Sequence, residues 1–195
     1  MPCVRDRPRS GARLRGRLAL ALGLTGLIVT GGCAEGVGMV EVYWQFEDRN
    51  LDRIFPQGAE RDTCSFTSTS GIRYDLRVRL SVVENTEACA TTPDDPGCQI
   101  IDPVVFPCNR QRGTADPVPI SANGDGSDDG YLMIVEALFD PTDGPAFVPN
   151  TDCMTGPGPR VRKVRPGRIT DLEVYEFIVE AVRIGDYGLD LDACR

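Results

Sequence analysis

Residues 72–82, IRYDLRVRLSV, decide the fold of this chain. Every second side chain is apolar, and the positions between them carry Arg, Asp or Ser. A period of two is that of an extended strand with one face towards a core and the other towards water. On a helix the same charges would surround the whole circumference. The apolar face of the predicted strand comprises Ile72, Tyr74, Leu76, Val78, Leu80 and Val82.

The same alternation occurs earlier, in residues 39–47, MVEVYWQFE, and predicts a second long strand. Its apolar face comprises Val40, Val42, Trp44 and Phe46. Shorter strands are predicted from β-branched and aromatic content at residues 104–106, 131–139 and 161–164.

The last apolar stretch, residues 169–184, fits two structures. Its positions Leu172, Tyr175, Val179 and Val182 also match the apolar stripe of a helix. Its content of β-branched and aromatic residues favours a strand over at least residues 171–179.

Pro and Gly separate these segments, and no alternation of strand with helix is visible. Six or seven short strands with long Pro/Gly-rich loops predict an all-β protein with an antiparallel β-sandwich. Residues 39–195 are expected to form it as a single domain, since the 163 residues from Cys33 onward are of ordinary domain size.

The first 32 residues have the composition of an export signal. Six Arg and one Asp lie in residues 1–17, and residues 18–29, LALALGLTGLIV, carry no charge. This apolar run is too short to span a bilayer as a mature helix. Residues 1–32 are therefore predicted to be removed on export, the alternative being a buried core helix.

The sequence Thr30-Gly31-Gly32-Cys33 resembles the lipobox of bacterial lipoproteins, in which the Cys receives a diacylglyceryl group and becomes the new N-terminus. It departs from that motif at Thr30, where Leu is usual. The resemblance implies lipidation of Cys33, a tether over residues 33–38, and, from Ala34, location in the outer membrane. The alternative is an ordinary cleavage site with Cys33 as a disulfide partner.

The cysteine count bears on the same choice. Cleavage before Cys33 leaves seven cysteines, and an odd cysteine in an exported protein needs a role. If Cys33 carries the lipid, six remain for three disulfides, with fifteen possible connectivities. No CxxC occurs, so the spacings suit no zinc template.

Composition excludes several functions. The chain contains no His, which rules out Ser-His-Asp and Cys-His nucleophiles and His-ligated zinc. Removing residues 1–32 takes away six Arg and one Asp, leaving 15 basic and 28 acidic residues and a net charge of −13. Such a surface repels phosphate backbones, so no nucleic-acid partner is expected.

Four segments together resemble a family of bacterial lipoproteins that carry a small immunoglobulin-like or transthyretin-like β-sandwich of unknown function. The segments are VEVYWQF, SGIRYDLRVRLSV after Cys64, VVFPC ending at Cys108, and DGYLMIVEALFD. The resemblance covers about residues 39–140 and implies that Cys64 and Cys108 lie on neighbouring strands. This neighbourhood favours the pair Cys64–Cys108. The other two expected pairs are Cys89–Cys98, closing one loop, and Cys153–Cys194, holding the tail. A β-sandwich fold does not indicate which activity a protein has.

Residues 125–136, DGSDDGYLMIVE, match the spacing of a calcium-binding loop with Glu136 at its twelfth position. An extended segment after Gly130 would carry Glu136 about 17 Å beyond Tyr131, too far to share an ion with Asp125. The remaining hypothesis is calcium bound by Asp125, Asp128 and Asp129 at a hairpin turn. The alternative is a solvated acidic turn.

Residues 160–168, RVRKVRPGR, place five positive charges in nine residues. They could contact anionic lipid headgroups or lipopolysaccharide beside the anchor, or form a solvated strand face. Tyr43, Trp44 and Phe46 could stack on a sugar if exposed, although Trp44 is expected in the core.

The first functional hypothesis is a non-enzymatic exported lipoprotein displayed at the outer membrane. Its membrane contact is the N-terminal lipid, and its role is binding or structural, with an unidentified protein or glycan partner. The second is a calcium-dependent adhesion or carbohydrate-binding module, favoured by an exposed Trp44. The third is a carboxylate-based hydrolase, which needs two carboxylates in one cleft.

Overall fold

A computed structural model describes residues 36–55, 64–68, 70–121, 130–180, 183–184, 188–189 and 194–195. The predicted export signal, Cys33 and the candidate calcium ligands Asp125, Asp128 and Asp129 lie outside these residues. The chain divides into two units, Met1–Gly32 and Cys33–Arg195, and all described residues belong to the second.

The described residues form twelve strands, a short α-helix and a 3₁₀ turn at Cys108–Arg110. In chain order the elements are β1 Val37–Glu47, β2 Arg53–Phe55, β3 Ser65–Thr67, β4 Arg73–Val83, α1 Glu87–Thr91, β5 Val104–Pro107, β6 Arg112–Pro119, β7 Tyr131–Pro141, β8 Met154–Thr155, β9 Arg160–Arg162, β10 Ile169–Val179, β11 Arg183–Ile184 and β12 Gly188–Leu189.

Ten of these strands build two packed sheets. In the first sheet β1 lies between β10 on one side and β6 and β2 on the other, and β8 pairs with β10. In the second, β4 lies between β7 on one side and β3 and β5 on the other, and β9 pairs with β7. The all-β sandwich is confirmed. One strand pair departs from the antiparallel arrangement, because β1 and β10 run parallel.

The core lies between the sheets, and the predicted strand faces form it. Side chains at alternate positions of β1 and β4 are buried, with Trp44 only 2% exposed. Trp44 stacks on Phe106 of the opposite sheet at a ring distance of 5.7 Å. The alternation of apolar and polar residues therefore correctly predicted which face of each strand meets the core.

A bulge in β10 explains why residues 169–184 also fit a helix. Glu41 pairs with Asp171 but Tyr43 pairs with Val174, so β10 carries one extra residue opposite Val42. Glu173 adopts a positive φ of 66° there. The extra residue turns both Leu172 and Tyr175 inward at a spacing of three, which is also a helical spacing.

Two further differences concern the start of β1 and the presence of β6. β1 begins at Val37, so the predicted tether over residues 33–38 loses its last two residues to the domain. β6 was not predicted, because Gly113, Pro117 and Pro119 indicate loops. It is an edge strand bonded only to β1, where the missing N–H groups of proline are tolerated.

Three disulfides connect the described residues: Cys64–Cys108, Cys89–Cys98 and Cys153–Cys194. They are the three pairs expected from the sequence. Cys89 and Cys98 pack with Val83, Leu132 and Ile134, so their loop covers the outer face of one end of the second sheet. That end is buried on both faces.

Candidate functional site

The first strand begins beside the run of basic residues. The N–H of Met39 donates to the carbonyl oxygen of Arg168 at 3.0 Å, and the N–H of Gly167 donates to that of Val37 at 3.0 Å. A Cβ at Gly38 would lie 2.5 Å from the carbonyl oxygen of Arg165, so only glycine permits this approach. The predicted tether therefore enters the domain at the residues that follow β9.

Arg160, the first basic residue of the run, has a structural role at the bulge of β10. Its guanidinium donates to the carbonyl oxygen of Leu172 and, at 3.1 Å, to that of Val174. It also lies 3.5 Å from the Glu173 carboxylate and 4.1 Å from the centre of the Tyr175 ring. Arg160 thereby bonds carbonyl groups on both sides of the extra residue and links the two sheets.

The later part of the run stays on the surface. We call residues 163–168 the basic turn, and its charged side chains are Lys163, Arg165 and Arg168, all exposed. The N–H of Arg168 donates to the carbonyl oxygen of Arg165, with Pro166 and Gly167 between them. Gly167 has a φ of 63°, as the third position of a type II turn requires. Neither Arg165 nor Arg168 forms an ion pair with any described residue.

A cleft of about 360 Å³ opens beside β7, and we call it the β7 cleft. Its walls are mainly apolar side chains and prolines from α1, from β7 and from the segment that joins the sheets. They include Ala90, Pro93, Ile134, Val148, Pro149, Met154, Pro157, Pro159 and Phe177.

One wall of the β7 cleft is an open strand edge. β9 pairs with β7 only as far as Met133, and Phe139 exchanges two 2.9 Å backbone hydrogen bonds with Phe147. Backbone groups two and four residues away from Phe139 point to the same side of the strand. The N–H and C=O groups of Val135 and Ala137 therefore face the cleft, where no described strand pairs with them.

Glu136 is the only carboxylate among the described lining residues, and it is held by Arg79. The two side chains approach to 2.7 Å, and the same guanidinium lies 3.0 Å from Asp94. Glu136 sits on an extended strand, as expected, so it does not swing back towards residue 125. No group of three metal-ligating side chains occurs within the described part of the chain.

The aromatic and carboxylate hypotheses lose their main residues. Trp44 is buried, so it offers no surface for a sugar. Two exposed carboxylates already have cationic partners, since Asp94 binds Arg79 and Glu173 lies near Arg160 and Arg162. A glycosidase-type pair would need two carboxylates in one cleft, and the β7 cleft brings only one.

Comparison with models of protein families, with curated proteins and with solved structures finds no match for this chain. The lipoprotein resemblance therefore stays a prediction. Among the described residues, no helix has the length and apolar character needed to cross a bilayer.

Proposed function

We propose that this chain is an exported, non-enzymatic lipoprotein. Acyl chains on Cys33 anchor it in the outer membrane, and its β-sandwich has a binding or structural role there. The observation that carries the proposal is the use of cysteine. Three disulfides take up every cysteine from Cys64 to Cys194, which leaves Cys33 as the one cysteine beyond residue 32 outside them.

The position of Cys33 also suits an anchor. β1 begins at Val37, four residues further along, and four extended residues span at most about 14 Å. More than one acyl chain on a single residue is enough for stable membrane attachment. The domain would therefore be held close to the bilayer surface.

The β7 cleft supports a binding role for the displayed domain. Apolar walls beside unpaired strand groups are the features by which a folded domain accepts an extended polypeptide segment. Val135 and Ala137 supply such groups, and Glu136 is occupied by Arg79. The cleft is thus better suited to hold a ligand than to transfer protons.

Intact-mass measurement of the protein extracted from membranes tests the proposal. The expected product begins at Cys33, carries acyl chains and contains three disulfides. Cys33→Ser should yield a chain without acyl mass that is released from the membrane fraction. Cys3→Ser is the matched control, since Cys3 lies within the predicted signal and its loss should leave the mature mass unchanged. Recovery of wild-type chain with an unmodified Cys33 would refute the proposal.

A further inference from the structure

We propose that the basic turn binds the anionic headgroups of the membrane beside the anchor, and so sets the orientation of the domain on the bilayer. This inference rests on the proposed function. Its partner is a lipid surface whose headgroups carry phosphate, and its contact residues are Arg165 and Arg168.

Location is the first argument. The basic turn is bonded through its backbone to Val37 and Met39, where the tether enters β1. Since Cys33 is at most about 14 Å from Val37, an anchored domain cannot hold this turn far from the headgroups. The opposite end of β1 at Glu47 lies about 26 Å beyond Met39, at 3.3 Å per residue.

Availability of charge is the second argument. Arg160 and Arg162 face Glu173, whereas Arg165 and Arg168 have no carboxylate partner in the part of the chain that the structure describes. A β-turn holds the Cα atoms of its two ends within about 7 Å, so the Arg165 and Arg168 side chains start from neighbouring points of the backbone. Guanidinium forks match the oxygens of phosphate groups.

The surroundings of the turn are consistent with an interfacial contact. Ile169 follows Arg168 directly and is 56% exposed, so an apolar side chain accompanies the charges.

Vesicle co-sedimentation of the processed chain, Cys33–Arg195, tests the inference. This part of the chain forms a unit of its own, and Cys33→Ser removes the acyl chains. Binding is expected to vesicles that contain phosphatidylglycerol and to be much weaker with phosphatidylcholine alone. The double variant Arg165→Gln/Arg168→Gln should lower the partition coefficient about 25-fold, at roughly fivefold per basic residue.

A matched control separates local contact from net charge. Arg53→Gln/Arg110→Gln removes two exposed charges far from the turn, since Arg53 pairs with Glu47 at the other end of β1. Its binding should stay within about twofold of wild type. Equal losses in the two double variants, or equal wild-type binding to both kinds of vesicle, would overturn the inference. If Cys33 is acylated but the chain binds both kinds of vesicle equally, only headgroup binding by the basic turn is refuted. If the chain binds anionic vesicles selectively but Cys33 is never acylated, only the lipid anchor is refuted.

Discussion

The indole nitrogen of Trp44 donates a 3.0 Å hydrogen bond to the carbonyl oxygen of Cys108. Trp44 belongs to β1 in the first sheet, and Cys108 follows β5 in the second. The sulfur of Cys108 is bonded to Cys64, which precedes β3. Cys108 therefore joins the two sheets through its backbone and two edge strands of one sheet through its side chain.

Replacing Trp44 by Phe should lower the free energy of unfolding by about 1–3 kcal/mol, because the Cys108 carbonyl loses its buried donor and a small cavity remains. Urea denaturation followed by circular dichroism measures this loss. Tyr43→Phe is the control, since its hydroxyl bonds only the neighbouring Glu41 on the other face of β1. It should change stability by less than about 0.5 kcal/mol. Similar losses in both variants would contradict the role of the indole bond.

Removing two of the disulfides should have unequal effects. Cys64 and Cys108 are 44 residues apart, whereas Cys89 and Cys98 are 9 apart. Chain entropy then predicts losses of about 4 kcal/mol for Cys64→Ala/Cys108→Ala and about 2.7 kcal/mol for Cys89→Ala/Cys98→Ala. Denaturation of both variants under non-reducing conditions gives the comparison. A larger loss from the short loop would contradict the entropic account and point instead to packing beneath that loop.

Arg160→Lys should destabilise the domain by about 1–3 kcal/mol. A lysine ammonium cannot hold two carbonyl groups and stack on Tyr175 at the same time. Arg162→Lys alters a longer ion pair to Glu173 and a hydrogen bond to the carbonyl oxygen of Val161, and it should cost less than about 1 kcal/mol. Thermal and urea unfolding of the pair would show the difference. Two equal losses would mean that the bulge does not depend on the guanidinium.

Tyr175 gives a pH-dependent prediction. Burial raises the pKa of its phenol above the ordinary 10.0, against the opposing effect of Arg160 and Arg162. The unfolded chain therefore loses this proton first, and the free energy of unfolding falls as pH rises above about 10. Tyr175→Phe should reduce that alkaline loss while leaving the stability at pH 8 equal or slightly higher, because the buried hydroxyl has no hydrogen-bond partner among the described residues. Urea denaturation of both proteins at pH 8 and above pH 10 tests this prediction. If Tyr175→Phe loses as much unfolding free energy between these pH values as the wild type does, the prediction is wrong.

The sequence predicted the long strands because each has one face in the core. The alternation around Trp44 and Leu76 carries that information at every residue. It carries none about direction, so the parallel pairing of β1 with β10 could not be predicted. The bulge at Glu173 shifts the alternation and makes one strand resemble a helix.

The candidate site was less predictable than the fold. Arg160 and Arg165 belong to one run of basic residues, yet one bonds carbonyl groups of β10 and the other lies on the surface. Their difference depends on the backbone conformation at Glu173, thirteen residues from Arg160. Along β7, pairing with β9 stops at Met133, and pairing with Phe147 occurs only at Phe139. The β7 cleft lies beside the unpaired segment between them, and no local sequence pattern predicts such a segment.

The parallel pairing of β1 and β10 has a consequence for folding during synthesis. The centre of the first sheet needs residues 169–179 next to residues 37–47, so this contact spans more than half of the chain. Contacts of such wide separation form slowly, since the intervening polypeptide must first be brought together. The first long strand therefore cannot complete its pairing in the first sheet until residues 169–179 have been synthesised.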